Sequence, residues 1–123
     1  MAVCHCFPFR VFLVIALSIL AWPCFSAFYQ ADTMAGYCRE YVKFIELENS
    51  VSQLEAGICS GYVASGIELM DLSGQLCDRE KLNLDDVARQ YVTYVDNNDD
   101  AKKHTATYVL VELLQEKYAC EQQ

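Results

Sequence analysis

The residues of this chain best suited to chemistry are its cysteines. Seven are present in the 123 residues, and the four that follow residue 26 are Cys38, Cys59, Cys77 and Cys120. Widely spaced thiols form disulfides in an oxidising compartment or converge on zinc. None of the four stands at C-x-x-C spacing, and His104 is the single histidine after residue 26. We therefore predict two disulfides, no metal site and no cofactor.

Groups suited to catalysis are few. Nucleophilic catalysis needs a base beside a serine or a thiolate, and His104 lies next to Lys102 and Lys103 as a surface residue would. Asp85 and Asp86 could act as an acid–base pair. Their place in the first turn of a predicted helix, where negative charge is favourable, explains them without catalysis. The sequence therefore predicts a protein that is not an enzyme.

The N-terminal segment has the order of a secretory signal peptide. Arg10 precedes the apolar run Val11–Ala21, and Pro23 and the small residues Ser26 and Ala27 follow it. As a helix this run would rise about 16 Å, too little for a bilayer core of about 30 Å, which argues against the alternative of an uncleaved anchor. We predict a cleaved signal over residues 1–26 and a single helical domain over residues 27–123.

Charge narrows the range of partners. The chain has 17 acidic and nine basic residues, and of all these only Arg10 precedes residue 27, so the remainder carries a net charge of −9. Such a surface repels nucleic acid and anionic lipid. We expect no nucleic-acid partner and, after signal cleavage, no membrane association. A positively charged protein is the natural partner, although a solvated acidic surface is also common.

Apolar residues recur with helical periodicity in four segments separated by turn signals. Ser50 or Ser52 begins the second segment in the manner of a capping box, and Asn83 caps the third. The four segments span about Asp32–Glu46, Ser52–Leu72, Leu84–Val95 and Ala101–Lys117. Short connections favour antiparallel neighbours, so we predict an all-α fold: a small antiparallel bundle of four main helices in up-down order, with two disulfides.

Two details of this bundle concern packing. The fourth helix is apolar almost all round at Tyr108–Val111, which indicates either a central position or contact with a second subunit. Gly57, Gly61 and Ser65 recur every four residues on the second helix. This stripe of small residues indicates close packing within the bundle or, alternatively, a contact between subunits.

The antiparallel order also suggests how the cysteines pair. Cys38 lies ten residues before the turn near Glu48, and Cys59 lies eleven residues after it, so a helical hairpin brings the two level. Cys77 follows the end of the second helix, and Cys120 follows the end of the fourth. In an up-down bundle these two helices end on the same side, so the two cysteines lie close together. Of three possible connectivities, we predict Cys38–Cys59 and Cys77–Cys120.

The order of these landmarks resembles the Rap/Tai family, the periplasmic immunity proteins that protect bacteria from amidases of type VI secretion. The matching residues are Cys59-Ser60-Gly61-Tyr62-Val63, Leu76-Cys77 and Tyr118-Ala119-Cys120, and the likeness covers Tyr37–Cys120. The sequence departs from the family pattern where Ser65 replaces a glycine, Arg79 a proline and Tyr118-Ala119 a Phe-Pro pair. These departures are typical of a diverged member.

The resemblance implies a periplasmic homodimer that blocks the cleft of a peptidoglycan-cleaving cysteine amidase with a helix of one subunit and a loop of the other. Carried onto this sequence, it assigns partner binding to the third helix and the acidic turn after it: Arg89, Gln90, Thr93, Asp96, Asn97, Asn98, Asp99 and Asp100. The alternative for the turn is a solvated loop whose aspartates cap the next helix.

Two other functions fit the same composition. A periplasmic acid-stress chaperone of the HdeA type is also small, helical and exported, and many carboxylates could support exposure of apolar surface in acid. Four cysteines in place of two count against it. An inhibitor of another cell-wall hydrolase is the second alternative.

Overall fold

The computed structural model describes residues 28–77 and 79–120. Within these two ranges it contains four α-helices, two short 3-10 helices and no β-strand. The α-helices are α1 (Ala31–Ile45), α2 (Gln53–Leu72), α3 (Leu84–Asn97) and α4 (Ala106–Tyr118), and the 3-10 helices are Arg79–Lys81 and Ala101–Lys103. The prediction of an all-α fold with four main helices is confirmed. The predicted signal peptide, residues 1–26, lies outside the described residues.

The ends of α2 and α3 show which local signals the fold uses. The Asn83 side chain caps α3, as predicted, by accepting a hydrogen bond from the Asp85 backbone N–H at 2.9 Å. Ser52 is the N-cap residue of α2, but its side chain makes no capping hydrogen bond. Instead its backbone N–H donates to Oε2 of Glu40 on α1 at 2.9 Å. A carboxylate of the neighbouring helix therefore replaces the predicted capping box.

α1 is the central helix. Its buried residues are spaced three and four apart, the pattern of a single apolar face, and they are Ala31, Met34, Ala35, Cys38 and Tyr41. α1 packs against α2, α3 and α4, and its contact with α3 is extensive. A square up-down bundle would hold α1 and α3 apart at diagonal corners. The real bundle instead closes around α1.

α4 begins later than predicted. The sequence pattern placed its start near Ala101, but residues 101–103 form a 3-10 helix and α4 starts at Ala106. Thr105 caps it, since its hydroxyl oxygen accepts a hydrogen bond from the Tyr108 backbone N–H at 3.4 Å. One side of α4 is buried, at Ala106, Val109, Leu110, Leu113 and Leu114. Tyr108 lies on the outside and is 52% exposed.

Both predicted disulfides are present. Cys38–Cys59 joins α1 to α2 across 21 residues, and Cys77–Cys120 joins the segment after α2 to the end of α4 across 43 residues. Loop closure of these lengths stabilises the folded state by about 3 and about 4 kcal/mol. Cys38 and Cys59 are completely buried, whereas Cys77 is exposed. The Cys77 backbone N–H also donates to the Tyr118 carbonyl at 3.0 Å, which holds the second bridge in place.

The close approach between helices occurs at Gly66. A Cβ added there would lie 2.5 Å from Cδ2 of Leu110, a buried side chain of α4. At Gly57 and Gly61 an added Cβ would meet no atom within 4 Å. The stripe of Gly57, Gly61 and Ser65 therefore faces outward, and the interpretation that it packs inside the bundle is wrong. The alternative interpretation of this stripe, a contact with a second subunit, remains a prediction.

We predict that Gly66→Ala leaves the protein with a smaller free energy of unfolding than Gly61→Ala does. Both gain helix propensity, by up to about 1 kcal/mol, but only Gly66→Ala forces a methyl group against Leu110. Overpacking of this kind costs about 1 to 3 kcal/mol. Urea unfolding of the monomer at low concentration should therefore find Gly66→Ala less stable than Gly61→Ala by that amount. Equal stability of the two variants would contradict the close approach of α2 to α4.

The two disulfides should differ in their reaction with reductant. A thiolate must reach a sulfur atom to break the bond, and only the Cys77–Cys120 bridge has an exposed residue. Partial reduction of the folded protein, followed by alkylation and peptide mapping, should label Cys77 and Cys120 first. Labelling of Cys38 and Cys59 should require denaturant. Simultaneous labelling of all four would show that the core opens as readily as the surface bridge.

Candidate functional site

The acidic turn, residues 96–100, connects α3 to the 3-10 helix before α4. Asp96 and Asn97 still belong to the last turn of α3. The side-chain oxygen of Asn98 accepts hydrogen bonds from the backbone N–H groups of Asp100 at 3.1 Å and Ala101 at 3.2 Å. A side chain that satisfies two successive backbone donors fixes the conformation of a turn. The acidic turn is therefore held in one shape by its own residues.

The three aspartates of the turn are exposed and ion-paired. Asp96 pairs with Arg39 of α1, Asp99 with Lys102 at 2.7 Å, and Asp100 with Lys103 at 3.4 Å. The Asp99 side chain is 93% exposed, and the hydrogen bond and positive charge of Lys102 lower its pKa. Ion pairs this exposed contribute little to folding stability. The carboxylates do not cap α4, because Thr105 does so.

The predicted residues of α3 also form bonds within the protein. Arg89 donates to a carboxylate oxygen of Glu46 at the end of α1, and this hydrogen bond raises the pKa of Arg89. The Thr93 hydroxyl donates to the Arg89 carbonyl at 2.9 Å, and Nδ2 of Asn97 donates to the Thr93 carbonyl at 2.8 Å. Together with Asp96–Arg39, the Arg89–Glu46 pair fastens the outer side of α3 to α1.

Five of the eight predicted partner-binding residues line one groove between α3 and α4. The groove has a volume of about 510 Å³. Its lining consists of Arg89, Gln90, Thr93, Asn97 and Asn98, which were predicted, with Tyr94, Leu113, Glu116 and Lys117, which were not. We call this the α3–α4 groove. Asp96, Asp99 and Asp100 are not part of its lining.

Sequence reasoning missed the α4 side of this groove for a simple reason. Periodicity identifies the buried side of a helix but not which neighbour flanks its exposed side. The available signal was the run of polar residues at Gln115, Glu116 and Lys117 at the end of an otherwise apolar helix. In the fold this polar end lies beside α3, where the Gln90 side chain donates to the Tyr118 hydroxyl at 3.2 Å.

A second, apolar surface lies between α2 and α4, and we call it the α2–α4 patch. Its lining is Tyr62, Ser65, Gly66, Leu69, Met70, Thr107, Leu110 and Val111. Leu69 is 68% exposed, and Leu72, one turn later, is 85% exposed. The Tyr62 and Thr107 hydroxyls are hydrogen-bonded to each other at 2.6 Å, which leaves mainly hydrocarbon facing solvent. Exposed apolar surface of this kind marks contact sites.

His104 lies outside both surfaces. Its Nε2 is 3.5 Å from Oδ2 of Asp100, and its ring lies 4.7 Å from that of Tyr108. Among the described residues, no group of three or more His, Cys, Asp or Glu side chains is placed to hold a metal ion. In residues 28–77 and 79–120, no helix combines the length and the apolar character needed to cross a lipid bilayer.

Comparison with known proteins identifies the family. No curated protein and no solved structure matches the chain significantly. The family of Rap1a immunity proteins matches residues 29–120, which is nearly all of the described structure. This family is associated with immunity to effectors of secretion systems, which implies binding of a cognate effector by an inhibitor, and it is typically periplasmic. Because the match spans three quarters of the 123 residues, the chain belongs to the Rap1a immunity proteins.

Proposed function

We propose that this protein binds and inhibits a peptidoglycan amidase effector of type VI secretion in the periplasm, protecting the producing cell or its kin. The observation that carries the proposal is the family match over residues 29–120. The amidase target follows from the resemblance to the Rap/Tai family in the order of Cys59, Gly61, Tyr62, Cys77 and Cys120. Inhibition needs only a surface that fits the effector, so the protein would not itself be an enzyme.

Two features support a periplasmic location. Two disulfides in a chain of this size are typical of proteins folded in an oxidising compartment, and both bridges form here. The sequence of residues 1–26 has the pattern of a cleaved signal peptide, which would deliver the domain there.

The acidic turn and the outer side of α3 are the proposed inhibitory surface. The turn is exposed, yet the side chain of Asn98 holds its backbone in shape. A loop that is ordered before binding loses little conformational entropy when it enters a cleft. Its aspartates, in a protein that is strongly acidic overall, would attract a positively charged rim around the amidase cleft. The exposed ion pairs exchange readily for pairs with a partner, because each is worth little to the free protein.

We further propose that the protein acts as a homodimer through the α2–α4 patch. Although the sequence of α4 is apolar almost all round, its residues Val109 and Leu114 are both buried within the monomer. The apolar surface left over is instead on α2, at Leu69, which lines the patch together with Val111 of α4, and at Leu72 one turn later. The outward-facing Gly57 and Gly61 continue along the same helix and would allow a second backbone to approach closely. A stable dimer would bury about 1,200 Å² or more in total.

Replacing Asp96, Asp99 and Asp100 together with asparagine should weaken inhibition by about tenfold or more, because charges desolvated at an interface contribute strongly to affinity. The melting temperature should change little, since the three lost ion pairs are exposed. The assay measures the inhibition constant against the amidase encoded by the neighbouring reading frame, as release of stem peptide from purified peptidoglycan.

Lys102→Gln with Lys103→Gln is the matched control. This variant breaks two of the same ion pairs but keeps the carboxylates, so its inhibition constant should stay close to that of the wild type. Full inhibition by the triple asparagine variant would move the contact away from the turn. Absence of inhibition by the wild-type protein would contradict the proposed function.

The dimer should depend on the α2–α4 patch. Leu69→Glu with Leu72→Glu places charge on this apolar surface and should give a monomer in light scattering at micromolar concentration, where the wild type is a dimer. Leu47→Glu serves as the control, because Leu47 is 87% exposed but lies in the turn after α1. A wild-type monomer at high micromolar concentration would refute the dimer.

A further inference from the structure

Leu47, directly after α1, has a left-handed backbone, and within residues 28–77 and 79–120 no other residue except a glycine does. Its φ is 59°. The Leu47 N–H donates to the Phe44 carbonyl at 3.2 Å, and the Glu48 N–H donates to the Lys43 carbonyl at 3.1 Å. This pair of bonds ends a helix around one left-handed residue, which is usually a glycine. A leucine at that position is strained, because its Cβ approaches a backbone carbonyl oxygen.

The end of α2 offers a comparison within the same chain. Gly74 has a φ of 70°, its N–H donates to the Asp71 carbonyl at 2.9 Å, and the Gln75 N–H donates to the Met70 carbonyl at 3.0 Å. The two helices therefore end in the same way, α2 with a glycine and α1 with a leucine. The Leu47 side chain does not offset the strain by packing, since it is 87% exposed. Strain that stabilises nothing in the free protein indicates a function for this side chain.

Other apolar side chains are exposed at the same end of the α1–α2 hairpin. Phe44, in the last turn of α1, is 51% exposed, and Leu54, in the first turn of α2, is 76% exposed. The hydrogen bond from the Ser52 backbone N–H to Glu40 holds the start of α2 against α1. We call Phe44, Leu47 and Leu54 the hairpin tip. Exposed apolar side chains that lie together mark a contact site.

The charge around the hairpin tip indicates what kind of surface covers it. Residues 44–55 include Glu46, Glu48 and Glu55 but no lysine or arginine. A second copy of this chain in a two-fold contact would place these carboxylates against their own counterparts, which is unfavourable. The same charge repels anionic lipid. The surface that fits is that of a different protein, with an apolar pocket bordered by basic side chains.

The hairpin tip adjoins the proposed inhibitory surface. Glu46, next to Leu47, pairs with Arg89 of α3, and the Tyr41 hydroxyl donates to Asp85 at the start of α3 at 2.7 Å. One partner can therefore contact α3 and the hairpin tip together. We propose that the hairpin tip inserts Leu47 into an apolar pocket of the bound amidase, with its glutamates facing basic residues around that pocket. The inference rests on the proposed function and adds an apolar anchor to its charged contacts.

The test is the dissociation constant of the purified periplasmic protein for the amidase of the neighbouring reading frame, measured by calorimetry. Leu47→Gly removes the side chain and relieves the strain. It should raise the melting temperature by a few degrees. It should also weaken binding by about tenfold or more, because a buried apolar anchor contributes strongly to affinity. A residue with a purely structural role would not show stability and affinity changing in opposite directions.

Two control variants separate the side chain from the backbone. Leu47→Met keeps an apolar side chain of similar volume and keeps the strain, so it should bind within about threefold of the wild type. Gly74→Ala introduces the strain at the equivalent position of α2. It should lower the melting temperature and leave the dissociation constant unchanged.

Three results would overturn the anchor while leaving the proposed function in place. They are unchanged binding by Leu47→Gly beside a wild type that binds, a lower melting temperature for this variant, and loss of its dimer in light scattering. The last result would show that a second copy of the chain covers the hairpin tip. Failure of the wild type to bind the amidase would overturn both the anchor and the proposed function.

Discussion

The buried Cys38–Cys59 disulfide is the constraint on which the rest of this fold depends. It joins α1 to α2 at the centre of the core, where both sulfurs are shielded from solvent. A domain of this size has a small core, and a covalent link that removes entropy from the unfolded chain offsets that deficit. With α2 held against α1, α3 and α4 can add their apolar sides to a surface that already exists. The exposed Cys77–Cys120 bridge then secures the end of α4.

Two ion pairs connect α1 to the side of α3 that carries the proposed inhibitory surface. Arg39, in the middle of α1, pairs with Asp96 in the last turn of α3, and Glu46, directly after α1, pairs with Arg89 in the middle of α3. Their charges are exposed, so they add little to stability. The buried side of α3, at Val87, Ala88, Tyr91 and Val95, holds the helix in the core, and Asn98 holds the acidic turn at its end. Arg89 and Asp96, which are proposed to bind the partner, are therefore also the α3 residues that pair with α1 in the free protein.

Capping signals and apolar periodicity predicted the structural features that depend on residues close together in the sequence. The Asn83 cap, the end of α2 before Gly74 and the cysteine pairing all follow from spacing along one or two helices. The contacts that sequence reasoning missed join distant segments. The Glu40 carboxylate of α1 accepts a hydrogen bond from the Ser52 backbone N–H at the start of α2. Gly66, and not Gly61, lies against Leu110, because the point at which two helices cross depends on the packing of the whole domain. The α4 side of the groove was missed for the same reason.

α4 shows why a helix that looks apolar all round need not be buried all round. Its inner side, including Leu110 and Leu114, fills the core, and this accounts for most of the apolar residues. Val111 lines the α2–α4 patch, and Glu116 and Lys117 line the α3–α4 groove. The α2–α4 patch and the α3–α4 groove therefore flank the same helix. A second subunit on the patch would leave the α3–α4 groove open, since the two surfaces are lined by different residues, and Arg89, Gln90 and Thr93 of the proposed inhibitory surface would stay accessible in a dimer.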